Sequence, residues 1–195
     1  SLALDGDGRP AIAYSTAILG VGVVRYAHYD GTQWLTETVS SNAKAQGESL
    51  AFDGAGHPWI SYRGSSYELM VAHHDGTQWI SEQVPGVIVN DTSLALDGAG
   101  HPYIVYEVIT KMGYAYHDGT QWHTEESLVG STYQKNGLSD MVLAAGCMNV
   151  TYFLARLDDN TFDLTYLRIC LGGAKSVTPS VDVPYHGVVT YTILV

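Results

Sequence analysis

Cations are scarce in this chain. Lys and Arg number 9 against 20 Asp and Glu, a formal charge of −11 over 195 residues. No cluster of them forms a phosphate-tracking stripe, which argues against nucleic acid or an anionic membrane surface as partner. No run of about 18 apolar residues exists, so there is no membrane span of helical length. A sustained helical period is missing as well. So are the nucleophile, zinc-protease and phosphate signatures G-x-S-x-G, H-E-x-x-H and the P-loop. Cysteine is limited to Cys147 and Cys170. A starting Met and a signal peptide are lacking, but Ser1 and Val195 both read as cut ends. The missing leader therefore does not argue for a cytoplasmic home.

What is present points to β-structure. The hydrophobic fraction of 46% rules out wholesale disorder, and 14 Tyr and 21 Gly sit among many Val, Ile and Thr. The chain also repeats itself. Ser1-Leu-Ala-Leu-Asp-Gly6 recurs as Ser49-Leu-Ala-Phe-Asp-Gly54 and Ser93-Leu-Ala-Leu-Asp-Gly98. Asp30-Gly-Thr-Gln-Trp34 recurs as Asp75-Gly-Thr-Gln-Trp79 and Asp118-Gly-Thr-Gln-Trp122. A degenerate fourth copy lays Asn149-Val-Thr-Tyr152 on Tyr103-Ile-Val-Tyr106.

Each copy predicts four short strands. In the third these are Ser93–Leu96, Tyr103–Glu107, Gly113–His117 and Trp122–Glu126, with turns at the Gly/Pro-rich and Asp-Gly positions. A tandem four-stranded unit of about 45 residues is a propeller blade. A lone four-stranded sheet has two faces and no core, and radial stacking covers both. The second strand, Tyr103-Ile-Val-Tyr106, is apolar on both faces, as that burial demands. The recurrent Trp34, Trp79 and Trp122 are expected to pack between blades.

The pattern S-L-A-L-D-x-x-G-x-P-x-I-x-Y followed by Y-A-x-x-D-G-T-x-W resembles the propeller repeats of large bacterial secreted proteins. The D-G-T-x-W hairpin also resembles a reduced Asp-box of sialidase-like propellers. The expected blades cover 1–48, 49–92, 93–138 and 139–173. Residues 174–195 lose every landmark of the repeat. There, Lys175-Ser-Val-Thr-Pro-Ser-Val-Asp-Val-Pro184 and Gly187-Val-Val-Thr-Tyr-Thr-Ile-Leu-Val195 resemble the first strands of an immunoglobulin-like domain of bacterial cell surfaces. The start of a fifth blade is the alternative. The resemblance implies a fragment of a longer surface protein. Its four blades could close as a ring, stay open as an arc, or associate with another copy through open edges.

Aligning the copies sets Cys147 where the others carry Arg9, His57 and His101, and Cys170 where they carry Asp30, Asp75 and Asp118. These positions face each other across strands two and three. A basic–acidic pair is therefore expected in three blades and a Cys147–Cys170 disulfide in the fourth, which places the protein in an oxidising, extracellular or cell-surface setting. Free thiols in a reduced compartment are the alternative.

No metal or cofactor is expected. Asp5-Gly-Asp7-Gly8 only faintly resembles a calcium loop. The recurrence of His73, His74 and His117 beside the Asp-Gly turns reads as structural. Glycoside hydrolysis would need two converging carboxylates, and nothing brings Glu48, Glu68, Glu107 and Glu126 together. A sialidase would also need an arginine triad, whereas the arginines sit at unmatched positions.

Turn sequences on one face of the blades are nearly invariant, while the second–third strand loops Ser15–Gly22, Arg63–Glu68, Glu107–Gly113 and Ala155–Phe162 diverge. Binding residues favour such loops. The candidate ligand-binding residues are Arg63, Tyr67, Glu107, Lys111 and Asp159. The reading is a non-catalytic adhesion module recognising a glycan or a protein. A sialidase-like hydrolase and a structural spacer are the alternatives, and the spacer predicts no aromatic and polar pocket on the loop face.

Overall fold

The structure is a computed structural model that describes residues 1–18, 21–44, 46–108, 111–126, 133–144, 146–156, 162–170, 176–178 and 190–194. Among these the fold is all-β, in four consecutive sheets. The first holds β1 to β4: Leu2–Leu4, Pro10–Ile18, Val21–Tyr29 and Trp34–Ala43. The second holds β5 to β8: Ser49–Phe52, Pro58–Arg63, Glu68–His74 and Trp79–Ile88. The third holds β9 to β12: Asp91–Leu96, Pro102–Val108, Lys111–His117 and Trp122–Glu126. In each of these, neighbouring strands pair antiparallel in chain order. The fourth holds β13 to β17: Tyr133–Ala144, Cys147–Arg156, Phe162–Cys170, Ser176–Thr178 and Thr190–Leu194. The four sheets and their order make a propeller-like arrangement.

Two details differ from the sequence expectation. The loop expected at Ser15–Gly22 is mostly strand, because β2 runs to Ile18 and β3 resumes at Val21. The tail strand Thr190–Leu194 pairs parallel to Phe162–Cys170 in the fourth sheet, with Ser176–Thr178 antiparallel beside it. The rest of residues 174–195 lies outside the described residues.

One apolar cluster fills each junction between sheets. Ala11, Ala13, Val24 and Tyr26 of the first sheet meet Leu50, Ile60, Tyr62 and Ala72 of the second. Leu69 and Val71 then meet Leu94, Ile104, Tyr106 and Ala115. Val105, Met112 and Tyr114 meet Met141, Met148, Val150 and Tyr152. The second strand of the third sheet thus serves two junctions, with Ile104 and Tyr106 on one side and Val105 on the other.

Trp79 and Trp122 pack between sheets, as expected, whereas Trp34 of the first sheet is 48% exposed and lies against Tyr29 of its own sheet. The Trp79 indole donates to Glu37 Oε2 at 2.9 Å, and that of Trp122 to Glu82 Oε1 at 3.3 Å. The innermost strands are laced in the same periodic way. Leu50 N–H donates to Ser1 Oγ at 3.2 Å, and Leu94 N–H to Ser49 Oγ at 2.9 Å.

Each D-G-T-Q turn is held by its own carboxylate. Asp75 Oδ1 accepts from Thr77 N, Thr77 Oγ1 and Gln78 N at 2.7–2.8 Å, and Asp30 and Asp118 do the same in their turns. This corrects the expected basic–acidic pairs across the ladder: Oδ1 of each Asp serves its own turn, and where Oδ2 finds a cation, in Asp118, the partner is His123 at 2.6 Å rather than His101. The basic residue pairs instead within its own first turn, at 3.0 Å for Arg9–Asp7, 3.4 Å for His57–Asp53 and 3.2 Å for His101–Asp97. In the fourth sheet the equivalent residues Cys147 and Cys170 are direct register partners and form the expected disulfide.

The turn bonds predict a fold that loses stability in acid. The Thr hydroxyl and the backbone N–H groups hold the carboxyls of Asp30 and Asp75 down to about 2. Asp118 is lower still, through Thr120 and then His123. A depressed carboxyl stabilises the fold above its unfolded value of about 3.8 and loses that contribution as pH falls toward 2. Thermal midpoints measured from pH 5 to pH 2 are expected to drop most steeply below pH 4. Asp75→Asn should flatten part of that slope, and an unchanged slope would remove these turns as its source.

Candidate functional site

The loop face carries a cleft between the second and third sheets, of about 390 Å³, lined by Ser66, Tyr67, Ile88, Val89, Asn90 and Val108. Backbone bonds assemble it. Gly64 N–H bonds to Glu68 O, and Tyr67 N–H to Gly64 O, closing a tight turn between β6 and β7. The linker between sheets then docks on that turn: Val89 N–H donates to Tyr67 O at 2.6 Å and Asn90 N–H to Glu107 O at 2.7 Å. The preceding linker is tied in likewise, by Lys44 N–H to Arg63 O.

Tyr67 is the distinctive element. It has φ of 71°, the left-handed region that a bulky side chain rarely adopts, and the residue is 48% exposed. Lys44 Nζ and Arg63 Cζ each lie 5.2 Å from the ring centroid. Arg63 is fixed in place, since its Nη2 donates to Gln46 Oε1 at 2.8 Å and to Lys44 O at 3.3 Å. Ile88, 52% exposed, offers an apolar wall.

The sequence candidates therefore divide. Arg63 and Tyr67 are brought together. Lys111 begins β11 and is the register partner of Val108, which lines the cleft. Glu107 lies within β10 and is 9% exposed, with its carbonyl holding the linker. Asp159 lies outside the described residues. Reading only the second–third strand loops missed Lys44, Ile88, Val89 and Asn90. Those linkers also differ between copies, and that was the available signal.

A second groove, of about 510 Å³, runs along the inner strands of all four sheets and includes Glu48, Asp91 and Asp140. Burial raises the Asp91 carboxyl above its ordinary range, and the Glu48 charge adds to this. Among the described residues no group of three or more His, Cys, Asp or Glu is arranged to hold a metal ion. No described helix is long and apolar enough to cross a membrane.

Neither a family model nor a curated protein matches this sequence. Solved structures do match in fold. A mutant of the Aleuria aurantia lectin AAL in complex with Fucα1-6GlcNAc superposes with a TM-score of 0.58 at 9% identity, over 80% of this chain and 56% of the lectin. The SapL1 lectin in complex with α-methyl fucoside gives 0.52 at 14% identity, over 87% and 68%. An endo-1,4-β-xylanase from Bacteroides thetaiotaomicron gives 0.52 at 12% identity, over 86% and 67%. This chain thus spans little more than half of the Aleuria lectin. At such identities the likeness concerns the propeller-like fold alone.

Proposed function

We propose that this chain is a non-catalytic glycan-binding module of an extracellular or cell-surface protein, with the Tyr67 cleft as its binding site. The observation that carries this is the Tyr67 ring, held exposed in an unfavourable backbone conformation. Such strain persists where the surroundings enforce it, and it gathers at ligand sites. An aromatic face beside apolar walls, with a few fixed polar groups, is what a sugar ring with one apolar and several hydroxyl faces requires. Tyr67 supplies the platform, and Arg63, Lys44 and Asn90 supply the polar groups. A spacer would have no need of such a cleft. The disulfide supports the extracellular setting. Two of the structural neighbours were solved with fucosides, so fucosylated glycans are the first class to try.

The test is a glycan array followed by calorimetry on Tyr67→Gly. Glycine removes the ring and suits the positive φ, so the variant is expected to fold at least as stably as the parent. Affinity is expected to fall tenfold or more, equivalent to about 1.4 kcal/mol. Binding to no glycan, or unchanged affinity in Tyr67→Gly, would end the proposal.

A second reading rests on the inner groove. Glycoside hydrolysis uses two carboxyl groups, one of them kept protonated as the acid, and in this groove Glu48 accompanies an Asp91 carboxyl that burial raises. Release of reducing sugar from xylan or arabinan by the same preparation, abolished in Asp91→Asn, would favour it.

A further inference from the structure

Nine Lys and Arg residues serve a chain of net charge −11. Three of them gather at one cleft. Lys44 Nζ and Arg63 Cζ each lie 5.2 Å from the centroid of the Tyr67 ring. Lys111 begins the strand opposite Val108, which lines the same cleft. The repeat does not call for the first two. Arg63 follows Tyr62, whereas the aligned Tyr14 and Tyr106 are followed by Ser15 and Glu107. Lys44 lies in the linker between the first and second sheets, and the next linker, Val89-Asn90, carries no cation.

Their charge is not spent inside the protein. Among the described residues, the ion pairs involve Arg9 and four histidines, but not Lys44, Arg63 or Lys111. Arg63 gives Nη2 to two neutral acceptors, Gln46 Oε1 at 2.8 Å and Lys44 O at 3.3 Å. Its buried Nε finds no acceptor among the described residues. Two carboxylates stand nearby, and neither neutralises the pair. Glu68 turns Oε2 onto the Ser66 N–H of its own turn, at 2.7 Å. Asp91 feels the charge of Arg63, but burial and then Glu48 raise its carboxyl and make it a reluctant counter-ion. The two cations also repel each other. Sharing one ring, they lie within about 10 Å, one Debye length at about 0.1 M salt. An anion between them relieves that repulsion.

We propose that the Tyr67 cleft takes an acidic saccharide, whose carboxylate or sulfate meets Arg63 and Lys44. The inference rests on the cleft being a glycan site, as proposed above. The sugar lies along Tyr67 and Ile88. Arg63 Nη1 and Lys44 Nζ, which make no hydrogen bond among the described residues, donate to its acidic group. A neutral fucoside would leave both charges unmet.

A glycan array holding acidic and neutral members tests this, together with calorimetry on pairs that differ in charge. The pairs are trigalacturonic acid against its methyl ester, and lactose sulfated on galactose against lactose. Array hits are expected to concentrate on acidic glycans. The charged member of one pair should bind about tenfold tighter than its neutral partner, the scale of one charge-assisted hydrogen bond. Which pair responds separates carboxylate from sulfate. The preference should shrink as salt rises from about 20 to about 500 mM. It should disappear in Arg63→Gln and in Lys44→Gln, with circular dichroism as the check on folding. Lys44 is exposed, so its variant keeps the test open if Arg63→Gln unties the linker. Equal binding within both pairs, or array hits confined to neutral glycans, would overturn the inference and leave the glycan site standing. A charge preference that survives both substitutions would overturn it as well, since the anion would then sit elsewhere. Binding to no glycan would overturn both the inference and the reading beneath it.

Discussion

Ile104→Ala is expected to destabilise the protein by about 2–5 kcal/mol. Ile104 is fully buried in the second strand of the third sheet, at the centre of the cluster joining the second and third sheets. Removing its outer carbons leaves a void lined by residues of two sheets, and neither sheet can shift without disturbing its other junction. Collapse around the void is therefore limited, and the cost should sit high in the range. For a chain of this length each kcal/mol lowers the melting midpoint by about 2–4 °C. A fall on the order of 10 °C is expected by calorimetry. The repeat offers an internal comparison. Ile12 holds the matching position in the first sheet, where its side chain is only half-buried. Ile12→Ala should cost clearly less. Equal costs at the two positions would mean that the junctions do not carry the stability.

The physical basis of this contrast is largely legible in the amino-acid sequence. The three copies of S-L-A-x-D-G and D-G-T-Q-W set strand number, turn position and sheet order, because Asp-Gly turns and alternating strands are local signals. The third sheet's strands match their expected ranges to within two residues. The burial of Ile104, Val105 and Tyr106 follows from a strand apolar on both faces. The disulfide follows from the alignment of Cys147 and Cys170 across one ladder.

The cross-strand ion pairs do not follow. Opposed positions tell which residues face each other, but not that each Asp is oriented by Thr and Gln of its own turn and each basic residue by the carboxylate of its own first turn. The fourth sheet is the least legible. Its copy has no D-G-T-Q-W hairpin, and a strand that pairs in parallel, as Thr190–Leu194 does with Phe162–Cys170, can come from any distance along the chain. Half of the candidate site is legible. Arg63 and Tyr67 stand out in a variable loop, whereas Ile88 and Asn90 reach the same cleft only through hydrogen bonds between linkers and turns.

Reduction of the Cys147–Cys170 disulfide is expected to lower stability by roughly 3 kcal/mol, the chain-entropy value for a loop of this size. The bond spans a sequence separation of 23 and ties the open end of the β14–β15 pair. In the first three sheets the same end is secured twice, by a basic residue bonded into the first turn and by an Asp-centred second turn. The fourth copy's sequence carries neither the Asp-Gly-x-Gly nor the Asp-Gly-Thr-Gln turn, and the covalent link stands at the matching positions. Its loss should be felt locally as well as globally. Amide exchange at Val150 and Leu167, register partners in this pair, is expected to accelerate on reduction more than exchange at Ile104. Local opening of this kind costs less than global unfolding and shows first where few other ties remain. Cys147→Ser with Cys170→Ser in one chain should reproduce the reduced behaviour without reductant. An unfolding midpoint in urea that is the same for oxidised, reduced and double-Ser protein would show that backbone pairing alone secures this sheet. If the midpoint falls while exchange rises uniformly across all four sheets, the bond acts through the unfolded chain and not as a local clasp.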